Sequence, residues 1–316
     1  MPTVPAGGGA GLPERPFGAV NWALTALIAV IWGASFLFIR IGVETFGAGL
    51  VPFLRVAFGA LALGLLPASR RPIAGSDWPA VALLGFIWMA VPFLLFSIAE
   101  ETVPTAIAGM INGAVPLSTA AFAALFSRRL PSLRRGVALL IGLAGVSVIA
   151  FSVGRGSGSS DASTSSGIGI VMLLVGILCY GVSANVARPL QIRYGALAVL
   201  FRVQLVALAA STPYGLIACR TAAFSWPALG CMFLLGAFGT GLAYAVSAIL
   251  IGRTDATRGS IGVFLTPIVA TLLGVTVRHE ALPLGALGGA ALIVLGAMLT
   301  SRPEPVAAAG QPRSSR

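Results

Sequence analysis

Charged residues are scarce in this sequence, and lysine is absent. Only 9% of the 316 residues are charged, whereas 57% are hydrophobic and the mean hydropathy is +0.98. Soluble globular proteins carry about a quarter charged residues, so this composition indicates a protein whose solvent is lipid. The missing lysine excludes a Walker-type phosphate loop, because that motif needs a lysine to reach the phosphates. We therefore do not expect ATP-driven transport by this chain alone.

Residue types that bind metals or carry out catalysis are also rare. The three cysteines, Cys179, Cys219 and Cys231, lack metal-ligand spacing and are interpreted as small buried hydrophobic residues. The single histidine, His279, falls in a predicted connector. We expect no metal and no cofactor. The twenty arginines are dispersed in short connectors without interleaved aromatic residues, so nucleic acid is not an expected partner.

Apolar stretches fill most of the chain. A helix needs about 20 mostly apolar residues to cross the hydrocarbon core of a bilayer, and ten stretches approach or meet that length. The predicted fold class is therefore all-α, a polytopic membrane protein of about ten transmembrane helices. The predicted spans are 22–39, 50–66, 79–98, 103–126, 136–153, 168–187, 196–217, 226–251, 259–277 and 284–300.

The distribution of arginine predicts the orientation. If the amino terminus is cytoplasmic, fourteen arginines fall in inner connectors and tails, and four fall in outer connectors. An excess of arginine on the cytoplasmic side is the usual arrangement, so we expect both termini inside, in the cell membrane (the inner membrane) of a bacterium. Residues 1–20 and 301–316 are then cytoplasmic tails. The Gly/Ser-rich residues 154–167 become an external linker at the midpoint of the chain.

The chain repeats itself at offsets of 147 to 152 residues. Three short motifs recur in the same order: Trp32-Gly33-Ala34-Ser35 as Tyr180-Gly181-Val182-Ser183, Leu54-Arg55-Val56 as Phe201-Arg202-Val203, and Trp78-Pro79-Ala80 as Trp226-Pro227-Ala228. Residues 21–153 and 168–300 are thus predicted to be two five-helix repeats. Because five is odd, the second repeat enters the membrane from the opposite side. Inverted repeats permit two conformations that exchange the roles of the halves, which is the basis of alternating access.

These residues resemble a known family. The Trp-Gly-x-Ser motif of the first span, Arg55 in the second, Pro116 and Pro267 in the fourth and ninth, and the segment 280–283 before a Gly-rich last span are similar to the EamA family of the drug/metabolite transporter superfamily. The resemblance covers residues 20 to 300. It implies export of metabolites, amino acids or drug-like compounds, without ATP, through a cavity between the halves. The family's first half usually carries a Glu where this chain has Arg128 or Arg129.

Nine residues are candidates for substrate binding or gating: Trp32, Ser35, Arg55, Asn112, Tyr180, Ser183, Asn185, Arg202 and Tyr244. Arg55 and Arg202 are charged side chains inside predicted spans, where a charge is unfavourable unless it pairs, snorkels or faces water. One interpretation makes them symmetry-related gates or anion-binding points that face the cavity. The alternative is snorkelling, or hydrogen bonding to carbonyls at helix ends.

The other candidates are aromatic or polar. Trp32 and Ser35, like Tyr180 and Ser183, lie three positions apart and therefore share one helix face. Such faces suit a cavity for a small, partly apolar substrate, although packing through the neighbouring glycines is the alternative. Asn112, Asn185 and Tyr244 are further candidates. Hydrogen bonding between helices would explain these polar residues equally well.

All nine carboxylates are predicted to lie in tails or connectors. Proton-coupled carriers commonly use an acid within the membrane, so any coupling here would need Glu100, Glu101 or Asp255, each near a helix end, or a site that the sequence does not identify. Two intramembrane arginines without an intramembrane acid favour neutral, zwitterionic or anionic substrates over organic cations.

The predicted function is secondary transport by alternating access, in the direction of export. The chain is not predicted to be an enzyme. Its expected partners are a small-molecule substrate and the lipid bilayer. The sequence does not determine the oligomeric state, and a homodimer is one of the states that it permits. An intramembrane enzyme would need a buried acid pair, a Ser/His pair or metal ligands. A receptor or interaction subunit that does not transport is the other alternative, and flux assays would distinguish it.

Overall fold

The computed structural model describes residues 18–128, 130–156, 160–253 and 261–301. Within these ranges the chain is helical, without strands, apart from short connectors. Among the described residues, eight helices are long and apolar enough to cross a membrane, and two shorter apolar helices, Leu50–Gly64 and Gly262–Arg278, accompany them. Large apolar side chains such as Leu140, Phe151 and Leu272 point outward and are about 60% exposed, which lipid tolerates and water does not. The predicted all-α, polytopic fold is confirmed.

The helices of the described residues follow the ten predicted spans, which are numbered here in chain order. Their bounds are span 1, Ala19–Phe46; span 2, Leu50–Gly64; span 3, Trp78–Leu84 with Gly85–Ala90 and Val91–Ala99; span 4, Thr105–Asn112 with Val115–Ser127; span 5, Leu133–Gly156; span 6, Ser160–Tyr194; span 7, Ala196–Cys219; span 8, Trp226–Phe233 with Leu234–Leu242 and Ala243–Arg253; span 9, Ile261–Arg278; and span 10, Leu284–Ser301.

Three helices, those of spans 1, 5 and 6, extend further than the sequence predicted. Span 1 runs to Phe46, so Glu44 lies in its last turn and not in a connector. The Gly/Ser-rich residues 154–167 are helical on both sides of residues 157–159, which lie outside the described residues, whereas an open linker was expected. Packing explains the difference: Ser166 is buried and donates to the Thr102 carbonyl at 3.4 Å, while Thr102 Oγ1 donates to the Ser165 carbonyl at 3.2 Å.

The spans pack as two related halves. Span 1 packs on span 9, and its counterpart, span 6, packs on span 4. Span 2 packs on span 8, and its counterpart, span 7, packs on span 3. Span 3 packs on span 6, and its counterpart, span 8, packs on span 1. Spans 2, 4 and 5 also pack on their own counterparts, spans 7, 9 and 10. These contacts are related by exchange of the two halves, a pattern that agrees with two repeats; their inversion stays a prediction.

Glycines at equivalent positions bring the crossing helices close together. A Cβ atom added to Gly33 would lie 2.5 Å from Val269 Cβ, and one added to Gly181 would collide with Ser118. Small residues at such crossings permit the close backbone approach that stabilises helix packing in lipid. Gly33 and Gly181 therefore act in packing, whatever the role of the aromatic residue that precedes each of them.

Both repeats contain a π-helical segment at the corresponding place. Gly85–Ala90 interrupts span 3, and Leu234–Leu242 interrupts span 8. Each segment presses a glycine against a neighbour: a Cβ on Gly236 would lie 2.5 Å from the Arg55 carbonyl oxygen of span 2. π-Helical insertions re-aim the side chains around them and are frequent at functional sites. Here they border the space between the halves.

Candidate functional site: a cavity between the two repeats

A cavity of about 220 Å³ lies between the two repeats. Seven spans contribute to its wall. The lining residues are Trp32, Ser35, Phe36, Ile39, Arg55, Trp88, Phe93, Phe96, Asn112, Val115, Tyr180, Ala184, Tyr244 and Val263. The wall is thus mostly aromatic and aliphatic, with few polar groups, as is usual for sites that bind small organic molecules.

The aromatic walls are held by contacts among themselves. Tyr244 meets Trp32 edge-on at a centroid distance of 5.5 Å and Trp88 at 5.8 Å, and Phe96 lies 5.8 Å from Tyr180. Edge-to-face pairs at these distances are favourable geometries. Trp32 Nε1 also donates a 3.1 Å hydrogen bond to the Gly239 carbonyl, in the π-helical segment of span 8. The walls are therefore pre-formed, and a ligand need not order them.

Arg55 is the one formally charged residue among the described residues that line this cavity. Its Nε atom donates to Thr240 Oγ1 at 3.0 Å, and its guanidinium carbon lies 3.8 Å from the centroid of the Phe93 ring. Thr240 is fully buried, and its carbonyl accepts a 3.3 Å bond from Gln204. The terminal Nη atoms of Arg55 have no hydrogen-bond partner within the described part of the chain.

Two further polar groups face the same space. Asn112 ends the first helix of span 4, where the helix is interrupted before Val115, and it lines the cavity. Tyr180 lies opposite on span 6. Neither side chain makes a hydrogen bond to any described residue. Ser35 also lines the cavity, but its hydroxyl donates to the Ile31 carbonyl of its own helix at 2.9 Å.

Three of the nine candidates lie elsewhere. Ser183 is fully buried and donates to the Cys179 carbonyl at 2.7 Å. Asn185 donates to the carbonyls of Gly181 at 2.9 Å and Thr119 at 3.0 Å, so it ties span 6 to span 4.

Arg202 is the third. It binds backbone carbonyls of the connector between spans 2 and 3, at 2.9 Å to Ser69, 3.2 Å to Arg70 and 3.3 Å to Arg71. Arg202 therefore forms hydrogen bonds to backbone carbonyls, which was the alternative to a gate that faces the cavity. Arg55 and Arg202 are therefore equivalent in sequence but different in surroundings.

The structure adds lining residues that sequence reasoning did not select. Trp88, Phe93 and Phe96 of span 3 form one wall, and Thr240, which does not line the cavity, accepts the hydrogen bond from Arg55 Nε. Trp88 offered a signal, because it lies in mid-span, whereas tryptophan in membrane proteins favours the interfaces. Thr240 offered none, since its contact with Arg55 depends on the π-helical geometry of span 8.

A second cavity of about 210 Å³ continues from the first. The two share Trp88, Ala184 and Tyr244, and the second extends to Gln191 and Ala196, where span 6 ends and span 7 begins. We call this side of the bundle the Gln191 end. The central cavity thus has a path toward the Gln191 end, with Trp88 and Tyr244 at the junction.

The opposite side, which we call the Arg40 end, carries a polar cluster. Arg40 and Arg278 both bind Glu44 Oε1, at 2.8 and 2.5 Å, and Arg40 also donates to the Glu100 carbonyl. Glu280 accepts from the backbone N–H groups of Thr105 at 2.8 Å and Ala106 at 2.9 Å, at the start of span 4. These bonds tie span 1 to the end of span 9 and to the connector after span 3, and they tie the connector after span 9 to the start of span 4.

The chain is similar to known transporters. Residues 20–151 and 167–302 match the EamA-like transporter family. A protein of Archaeoglobus fulgidus called an uncharacterized transporter is 21% identical over 89% of this chain and 99% of its own length. The uncharacterized inner membrane transporter YedA of Escherichia coli is 27% identical over 82% of this chain and 83% of its own.

Two further matches cover nearly the whole chain. A protein of Streptantibioticus cattleyicolor named "Probable terminal-alkyne amino-acid exporter" is 27% identical over 89% of this chain and 93% of its own length. A solved crystal structure that is 22% identical superposes with a TM-score of 0.58 over 89% of this chain and 96% of that one. At that identity, the structural match supports the fold alone.

Proposed function

This chain belongs to the EamA-like transporter family, and we propose that it exports a small amphipathic amino acid or related carboxylate, without ATP, through the cavity between its repeats. That it is a multi-pass membrane transporter follows from the family and from its helices. The proposal concerns the substrate class, the direction and the mechanism.

Arg55 is the observation that carries the proposal. A guanidinium group recognises a carboxylate through two parallel charge-assisted hydrogen bonds, and the Nη atoms of Arg55 face the cavity without partners among the described residues. At a separation of 4 Å and an effective dielectric constant of 20, the attraction between the two charges is about 4 kcal/mol. Desolvation offsets part of this gain. The remainder still favours a carboxylate over a neutral group at this place.

The rest of the cavity fits the other parts of an amino acid. Its volume of about 220 Å³ lies below the range of about 300 to 1,000 Å³ that is typical of pockets for drug-sized ligands, which favours a small metabolite. The carboxamide of Asn112 and the faces of Trp32 and Tyr180 can receive an ammonium group, through its oxygen and through cation–π contacts. The relative from Streptantibioticus cattleyicolor, which is named as an amino-acid exporter, supports the same substrate class.

Alternating access is supported by the predicted inversion of the repeats. Exchange of the halves would close the path toward the Gln191 end and open the Arg40 end, around a cavity that both conformations share. We propose that the Gln191 end faces the cytoplasm, as the arginine distribution predicts, so that the described conformation loads substrate from inside. In this proposal residues 21–153 and 168–300 are the two moving units. Reporters fused at residues 161 and 304 should signal from opposite sides of the membrane.

Counterflow in proteoliposomes tests the function. Metabolomic comparison of the medium from cells that lack or overproduce the protein would first select the compounds. Vesicles that contain the purified protein and an unlabelled amino acid should then accumulate the labelled compound without ATP, and the amine that lacks the carboxylate should not replace it. If no selected compound shows counterflow under any gradient, the chain is a non-transporting subunit and the proposal is wrong.

A further inference from the structure

Glu100 is a buried acid whose carboxylate has no hydrogen-bond partner among the described residues. It follows the last residue of span 3, and its side chain is 0% exposed. The next residue, Glu101, is exposed. An ionised carboxylate is strongly unfavourable in a buried place unless it is paired and hydrogen-bonded. Burial without such a partner therefore favours the neutral acid in this conformation.

The charged groups around Glu100 do not change that conclusion. Arg40 of span 1 donates to the Glu100 backbone carbonyl and to Glu44, and Glu280 is occupied by the N–H groups of span 4. Burial raises the pKa of the Glu100 carboxyl well above its usual range; Arg40 opposes the rise, Glu280 adds to it and Arg55 of span 2 opposes it. The raised pKa agrees with the missing hydrogen bonds.

Glu100 lies where the bundle is closed. Its carbonyl is one of the groups that tie span 1 to the connector after span 3 at the Arg40 end, and its neighbours Ala99, Val103 and Thr105 are also 0% exposed. Water cannot reach the carboxyl while this end is closed. Opening the end would hydrate it, remove the desolvation that raises its pKa, and release its proton.

We propose that Glu100 is a proton-binding site and that the Arg40 end closes only around its protonated carboxyl. The proposal rests on the alternating access proposed above, since it requires that this end opens. The proton is taken up by a carboxylate oxygen from water as the end closes, and it returns to water as the end opens. Because the closed form binds the extra proton, a low pH favours closure, and a rising pH favours opening, by up to about tenfold per pH unit.

Two measurements on the full chain in lipid nanodiscs test this, both without substrate. Infrared spectra of the wild type should show the C=O band of a buried neutral carboxylic acid at neutral pH, absent in Glu100→Gln and retained in the matched control Glu101→Gln. The wild-type spectrum needs no variant, so a folding defect cannot obscure it. If the wild type shows no such band, the proposal is wrong.

The second measurement follows opening. In a background with Cys179, Cys219 and Cys231 replaced, Val103→Cys places a thiol at a position that is buried while the Arg40 end is closed. The alkylation rate of this thiol should rise more steeply with pH in the protein that keeps Glu100 than in the protein that also carries Glu100→Gln. The ratio of the two rates should change by up to about tenfold per pH unit. Glu101→Gln should match the wild type. Dividing the two rates removes the pH dependence of the thiol itself.

Equal pH slopes with and without Glu100 would overturn the proposal. Since neither measurement uses substrate, the outcome is separate from that of the counterflow assay. A protein that shows the pH-dependent opening but no counterflow would refute the proposed function and keep Glu100 as a proton-binding site. A protein that shows counterflow, but has the same pH slope of alkylation with Glu100 and with Glu100→Gln, would keep the proposed function and refute Glu100 as a proton-binding site.

Discussion

Replacement of Arg55 by glutamine should weaken substrate binding without unfolding the protein. The change removes the positive charge but keeps a polar side chain beside Thr240 and Phe93, which Arg55 now contacts at 3.0 and 3.8 Å. A bond to a charged group contributes about 1.5 to 3 kcal/mol, and the bidentate pair with a carboxylate has two such bonds. Since desolvation of the free guanidinium offsets part of this, we expect a net loss of about 2 to 3 kcal/mol.

That loss corresponds to about a 30- to 150-fold rise in Kd, at about 1.4 kcal/mol per tenfold. The assay is binding of a radiolabelled amino acid, selected by counterflow, to the purified protein in detergent, with the neutral amide of the same compound in parallel. The amide should bind wild type and Arg55→Gln with similar affinity, since it lacks the charge that Arg55 attracts. A carboxylate whose Kd does not change in Arg55→Gln would refute the reasoning.

Arg202→Gln is the matched control, because it changes the same residue type at the equivalent position of the second repeat. It should leave Kd within about twofold but lower thermal stability by about 1 to 3 kcal/mol, since carbonyls of Ser69, Arg70 and Arg71 lose a charged donor. Glu280→Gln should also lower the melting temperature, because the first N–H groups of span 4 lose a carboxylate; Glu101→Gln should not. Gly33→Val should prevent span 1 from packing on Val269, whereas Gly230→Ala, with no atom within 4 Å of the added Cβ, should be tolerated in fluorescence-detected size exclusion.

The fold followed from the sequence because lipid imposes a simple constraint. Every backbone polar group in the hydrocarbon core must be bonded within its own helix or barrel, so length and apolarity predicted the ten spans. Helix ends were less predictable, since they depend on tertiary contacts. Ser166 remains in a helix because it packs on Thr102, although serine-rich sequence suggested a linker.

The candidate site was only partly predictable. Arg55 and Arg202 occupy the same motif in the two repeats, yet Arg55 contacts Thr240 in the other repeat, and Arg202 binds a connector. These partners lie 185 and 133 residues away, so local sequence does not distinguish them. Glu100 and Glu101 show the same limit, because adjacent acids at a helix end can point to opposite surroundings. Their roles in transport stay predictions.

The access of one residue from both sides of the membrane tests the central claim most directly. Ala184 lines both cavities and is exposed to them. In vesicles of known orientation that contain Ala184→Cys without the native cysteines, an impermeant thiol reagent should label Cys at position 184 from either side. A saturating amino acid substrate should protect it, and Arg55→Gln should remove that protection. Labelling from one side only, under all substrate and pH conditions, would contradict alternating access around this cavity.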